Sequence, residues 1–370
     1  MRFRIRNCHK TNFTHTACGD YDAFSKCIMS ASFCATTATP HGACRGSVVL
    51  SDDYQPFQME DIMKDQPIID FHAHLGDIFK DAHNVIYKLG LKPADIPDPF
   101  TVREERGFKG PFITEDTDEA LREFIDVNHE RCRTNTLENM QREMDECGID
   151  YICVLPIMPA LSFEDYEVAH MVEPRCIPFT CIDYRLGKDA GKKLLEDSEK
   201  GAYALKLHPI LSKRALDDPL TEEALRYWAE TGKPVTSHCG AGMYYYPEIN
   251  DQYATPEFGD LAHLVECARR HPEINFVAAH CGGTAAGNIE RLAKLSQGID
   301  NVYADTSFRS HEDIELMIEL LGRERIMFGT DYPFGSYKRQ VEQVMIATEG
   351  DPKLRNLVFF ENANRLLHIV

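Results

Sequence analysis

The 370-residue chain has a single tryptophan, no repeating cysteine spacing and no excess of basic charge. It also lacks any apolar run of the roughly 18 residues a membrane-spanning helix needs; the nearest approach, Ile152 to Leu161, is broken by Pro156 and Pro159. A span is therefore not expected. Lys and Arg total 40 against 59 Asp and Glu, a net charge of −19 that repels nucleic acid and anionic lipid alike. With no basic patch visible, neither is expected as a partner. Thirteen cysteines is an odd number without a CxxC pair, which argues against a disulfide framework and for reduced thiols in the cytoplasm.

What is present reads as a large folded unit behind a different leader. With 43% hydrophobic and 27% charged residues, the composition is that of a globular protein. Residues 1–60 hold five of the cysteines, many Ser, Thr and Ala, and no sustained period; they read as a disordered or targeting extension, or as sequence upstream of a later start at Met59 or Met63. That stretch contains six basic and five acidic residues, so the acid excess belongs to residues 61–370.

From Pro67 on, short runs rich in β-branched and aromatic residues alternate with helix-period segments. Eight runs stand out: Ile68 to His74, Tyr151 to Leu155, Ile177 to Ile182, Ala202 to His208, Val235 to His238, Asn275 to His280, Val302 to Ser307 and Ile326 to Asp331. Between them, Leu261, Leu264, Val265 and Ala268 form one apolar helical stripe, and Ile314, Met317, Ile318 and Leu321 another. Ser310 before Glu312 and Asp313 predicts an N-cap, and Gly232 and Gly322 fall where helices should stop. The rhythm predicts an α/β fold, a (β/α)8 TIM barrel distorted by a long insertion after the first strand, Gly76 to about Thr114. Such a loop reads as a lid or pocket wall. An open doubly wound sheet is the competing architecture.

Histidines gather at the predicted strand ends: His72 and His74 in IIDFHAHLG, His208 in KLHP, His238 in SHCG and His280 in AHCGG, with Asp331 in FGTDYP. In a barrel those ends converge on one mouth, where the catalytic groups of the fold reside. Alternation puts His72 and His74 on one face, about 7 Å apart in Cα, so that both imidazoles can grip one ion. Catalytic zinc takes nitrogen and carboxylate ligands and keeps a position open, and His238 and Asp331 would complete that set. A lone strand histidine is usually a packed core residue; the ordered set of them is what argues otherwise.

This ordered set, with the closing ENANRLL, resembles the metal-dependent amidohydrolase superfamily over about residues 67 to 370, and within it the amidohydrolase-related branch that includes aminocarboxymuconate-semialdehyde and resorcylate decarboxylases. The resemblance implies His72, His74, His238 and Asp331 around one divalent ion, zinc by expectation, with His280 as catalytic acid/base or a second ligand. Asp331 is then expected to accept a proton from water. Lys206 and His208 share parity on the fourth strand, so either could face the mouth. Lys206 could be an interior charge, a substrate contact or a bridging ligand, and His208 could only orient a neighbour.

Parity turns Cys239 and Cys281 toward the helices, as core thiols rather than ligands. The Gly282–Gly287 stretch reads as a tight turn instead of a phosphate cradle. Met243, Tyr244, Tyr245 and Tyr246 could stack on a planar substrate, and Arg309 could hold a carboxylate or form a surface salt bridge. The expected activity is metal-dependent hydrolysis of a small amide, lactone or ester. Non-oxidative decarboxylation of an aromatic or enoic acid at the same site is the alternative, and a ligand-binding pseudoenzyme the reading from another class. A small-molecule substrate and a homodimer are the expected partners.

Overall fold

The β-branched runs become strands that pair only in parallel, as βα alternation requires. The computed structural model describes residues 65–79, 84–93 and 97–370, so the extension expected over 1–60 lies outside the described residues. The strands are β1 (Ile69–Ala73), β2 (Tyr151–Val154), β3 (Cys176–Pro178), β4 (Thr180–Cys181), β5 (Leu205–Leu207), β6 (Val235–Ser237), β7 (Phe276–Ala278), β8 (Val302–Asp305) and β9 (Ile326–Met327). One sheet runs β1-β2-β3 and the other β4 through β9 in sequence order.

The two sheets are continuous. Phe179, between β3 and β4, donates its N–H to Val154, while Thr180 donates to Ala204 and Tyr203 to Pro178, so β3 and β4 are successive pieces of one strand. The first and last strands also meet: Phe71 donates to Phe328 at 2.9 Å, Asp331 to His72 at 2.7 Å and His74 to Tyr332 at 2.7 Å, with a parallel bridge between Ala73 and Tyr332. Eight strand positions therefore close on themselves as a TIM barrel with no free edge.

Two cores follow from the alternation of side chains. Leu264, Val265, Ile314 and Met317, the predicted helical stripes, pack on outward residues such as Phe276 and Ala304. Ile69, Phe71, Leu155, Phe179, Val277 and Met327 fill the barrel, and Ala363, Leu366 and Leu367 of the last helix join them. Asn362 of the ENANRLL motif is fully buried and donates to the carbonyls of Arg323 and Ile326, which ties that helix to the start of β9. The helix His311–Leu321 starts as expected, with Ser310 accepting from the Asp313 N–H, and stops at Gly322.

β1 departs from strict alternation. Its register shifts between Asp70 and Ala73, so Phe71 and His72 together face the single β2 residue Cys153. This bulge lets Phe71 pack inside against Phe179 while His72, the next residue, also points inward to Asp305 and Lys206. Without it, one of the two would face the helices.

The insertion after β1 folds partly into the helix Pro99–Glu105, capped by Asp98. Its Phe100 and Phe112 stack against Phe124 and Phe308 above the barrel mouth, so the insertion serves as a pocket wall.

Candidate metal centre

The strand ends deliver His72, His74, Lys206, His208, His238, His280, Asp305 and Asp331 to one end of the barrel. All are buried except His238, which is only partly exposed. His72 Nδ1–H donates to Asp305 Oδ2 at 3.0 Å, and His74 Nδ1–H donates to the Leu155 carbonyl at 2.8 Å. With those protons committed, both rings turn an unprotonated Nε2 toward Asp331 Oδ1, at 3.3 and 3.2 Å. His280 Nε2 lies 3.7 Å from the other oxygen of Asp331.

Asp331 Oδ1 is buried and has no hydrogen-bond partner among the described residues. Lone pairs on two nitrogens facing a carboxylate oxygen repel unless a cation or proton lies between them, so this donor set suits a divalent ion. Ligand atoms of His72, His280 and Asp331 all fall within 4.8 Å of one another. His238 is less gathered in. Its ring is 5.2 Å from that of His280, and its Nε2 lies 3.0 Å from the Tyr244 hydroxyl rather than at Asp331.

Burial disfavours the charged form of four of the imidazoles. Burial holds His72, His208 and His280 well below the usual histidine range, and neighbouring charge adds to it; His238 is pushed down to about 3 by burial and then by Lys206. Lys206, also fully buried, is lowered to about 8 by the same desolvation and donates to His72 Nε2 at 3.1 Å. Its ammonium therefore competes with a dication for that lone pair. Burial raises the Asp331 carboxyl, against the pull of His74.

His208 stands beside His238. His208 Nδ1 accepts from the Leu211 N–H, which leaves its proton on Nε2, and its ring stacks on His238 at 4.2 Å between centroids. Cys239 and Cys281 sit in the helix-side core, as parity predicted.

Arg309 is buried rather than at the surface, and it pairs with the Asp313 carboxylate at 3.5 Å. It is 3% exposed, and its guanidinium donates to the carbonyls of His280 (2.7 Å), Cys281 (3.0 Å) and Gly283. That loop has positive φ from His280 through Gly283, and its outward-turned carbonyls need a donor. Close approach explains the glycines: a Cβ on Gly240 would fall 2.9 Å from the Gly282 carbonyl oxygen.

Two carboxylates escaped the sequence reading. Asp305 is fully buried, orients His72, and accepts from the His280 N–H and from Ser307. Asp70, also fully buried, accepts from the Thr330 hydroxyl and N–H and clamps β1 to the Asp331 loop; burial pushes its carboxyl up to about 8. The available signal was an acid inside an otherwise apolar strand, in VYADTS and IIDFH.

Above the cluster lies a pocket of about 340 Å³ walled by Phe100, Phe112, Phe124, Phe308 and Phe334, with Asn128, Thr284 and Tyr244 as polar groups and His74, His238, His280 and Asp331 at its base. Among the described residues no Lys or Arg lines it. Met243 and Tyr244 border this pocket, whereas Tyr245 and Tyr246 line a neighbouring cavity of about 640 Å³.

Residues 69–369 match the family model described as Amidohydrolase. A search of curated proteins finds no match. Similar solved structures include 5-carboxyvanillate decarboxylase from Novosphingobium aromaticivorans, complexed with manganese and 4-hydroxy-3-methoxy-5-nitrobenzoic acid (15% identity, TM-score 0.56, covering 82% of this chain and 97% of that one). Others are 2,6-dihydroxybenzoate decarboxylase from Rhizobium (15%, 0.55, 82% and 99%) and a probable 2-pyrone-4,6-dicarboxylic acid hydrolase from Acinetobacter baumannii with citric acid bound (13%, 0.52, 81% and 99%). At such identities the likeness is one of fold.

Proposed function

This chain belongs to the amidohydrolase family, and from that membership we propose that it is a metal-dependent decarboxylase of a small planar carboxylic acid, aromatic or enoic. The observation that carries the reading is the phenylalanine-walled pocket, free of Lys and Arg among the described residues, with Asp331 at its base. A carboxylate brought there loses water and gains no side-chain cation, which is costly until the charge leaves. Loss of neutral carbon dioxide removes it. Two of the similar folds are decarboxylases of hydroxylated benzoates, which agrees with a planar substrate.

The residues that would hold the ion are His72, His74 and Asp331, flanked by His238 and His280; zinc and manganese both suit nitrogen and oxygen donors. A divalent ion bound there would supply positive charge to substrate oxygens and an acidified water. The chain's own residues do the rest. The aromatic wall orients the ring and excludes water, and Asp305 keeps His72 Nε2 free of a proton. With Oδ1 turned toward His72 and His74, a proton held on the other oxygen of Asp331, Oδ2, passes to the ring carbon that bears the carboxylate. The carbon–carboxyl bond then breaks, its electron pair returns to the ring and carbon dioxide departs. His280 stabilises charge developing on the substrate oxygens.

Hydrolysis is the second reading, favoured by the unpartnered Asp331 Oδ1, which is equally able to take a proton from water. Metal-loaded protein incubated with 2-hydroxybenzoates and, separately, with lactones and esters in ¹⁸O-labelled D₂O separates the two. The proposal expects carbon dioxide release with one deuteron at the vacated carbon and no ¹⁸O in the organic product. Label incorporation from lactone or ester, without carbon dioxide from any acid, overturns it in favour of hydrolysis.

A further inference from the structure

A second set of metal-ligating side chains lies in the helical layer. Cys267 belongs to the helix Leu261–Arg270 and His271 is its C-cap, so the four-residue spacing turns both side chains to one face. Glu222 reaches them from the helix Pro219–Ala229. One ligand atom from each of the three lies within 4.8 Å of the others. His271 Nε2 is 2.9 Å from Glu222 Oε2, while Arg270 holds the other carboxylate oxygen, Oε1, at 2.7 Å. The Cys267 thiol is fully buried and makes no hydrogen bond among the described residues, and His271 is 5% exposed.

From this geometry we infer that Glu222, Cys267 and His271 form a second site for a borderline-soft divalent ion of the zinc type, separate from the barrel mouth. Thiolate, imidazole and carboxylate together are a donor set such an ion prefers. Around the three, Glu273 lies 3.4 Å from His271 Nδ1, and Arg270 fixes which oxygen of Glu222 faces inward. Tetrahedral zinc separates its ligand atoms by about 3.3–3.7 Å, so the Glu222–His271 contact has only to open by a few tenths of an ångström.

On binding, the Cys267 thiol proton and the His271 Nε2 proton pass to solvent and a water fills the fourth position. The site shares no residue with the mouth. The His271 carbonyl accepts from Asn301, which immediately precedes β8, so His271 stands at the entry end of the strands whereas His280 stands at an exit. An ion here joins two neighbouring helices and braces the one that packs behind β7.

Cobalt(II) titration of the full chain, stripped of metal, tests this without reference to turnover. Only a site with a thiolate yields a sulfur-to-cobalt charge-transfer band in the near ultraviolet, and the mouth is expected to bind through nitrogen and oxygen. The band should appear with one equivalent, vanish in Cys267→Ser, weaken at least tenfold in apparent affinity in Glu222→Gln, and persist in Cys239→Ser. Zinc should raise the melting temperature of wild type more than that of Glu222→Gln. No band in wild type, a band that survives Cys267→Ser, or equal zinc stabilisation of wild type and Glu222→Gln overturns the site. Should Cys267→Ser not fold, the Glu222→Gln comparison decides alone.

Discussion

Asp305 Oδ2 accepts the Nδ1–H of His72 at 3.0 Å, with both side chains fully buried and 233 residues apart in the chain. That bond chooses the tautomer that presents His72 Nε2 to the mouth. Replacing Asp305 with Ala should weaken metal affinity about 10–100-fold, read by competition with a chromogenic chelator, with little change in circular dichroism. Unchanged affinity would mean that the ring is oriented by its other neighbours.

Asp331→Asn keeps the shape of the side chain and removes its proton carrier. Turnover should fall by about 10²–10⁴-fold while the fold persists. Metal content measured on the same sample separates lost proton transfer from a lost ion. Near wild-type turnover would remove Asp331 from the mechanism.

The aromatic wall should set substrate affinity. Phe112→Ala removes a ring that lines the pocket and packs against Phe100 and Phe308, so KM for a planar acid should rise by about tenfold or more with a smaller effect on kcat. An unchanged KM would place the substrate elsewhere.

Glu104 links the insertion to the β9 loop, accepting the Ser336 N–H, and burial raises its carboxyl from the usual 4.5 to about 7. A carboxyl that holds its proton more tightly folded than unfolded contributes stability fully below pH 4.5 and loses it as pH rises through about 7. Glu104→Gln keeps an acceptor without the charge. The variant should therefore lose this decline and be more stable at pH 8 by about 1–3 kcal/mol, read by urea unfolding across pH 4–8. A wild-type decline unchanged in the variant would exclude Glu104 as its source.

Order and chemistry were legible in the linear chain because they are local. A strand of period two followed by a helix of period 3.6 announces a βα unit, and repetition of the unit predicts a parallel sheet, whose closure into a barrel was decided only where β1 meets β9. His72, His74, His238, His280 and Asp331 could thus be assigned to one mouth from the sequence alone, and the helix beginning after Ser310 could be read from its cap. Contacts between distant segments were decided only on folding. Alternation alone cannot show that a bulge lets Phe71 and His72 both face inward, since that depends on the pairing of β1 with β2. Asp305 looked like any strand residue until β1 closed on β9 and brought His72 within reach of the end of β8. Arg309 looked like a ligand for a substrate and instead holds the carbonyls of a left-handed loop. Periodicity assigns each residue a face, whereas register and loop path determine which residue meets it there.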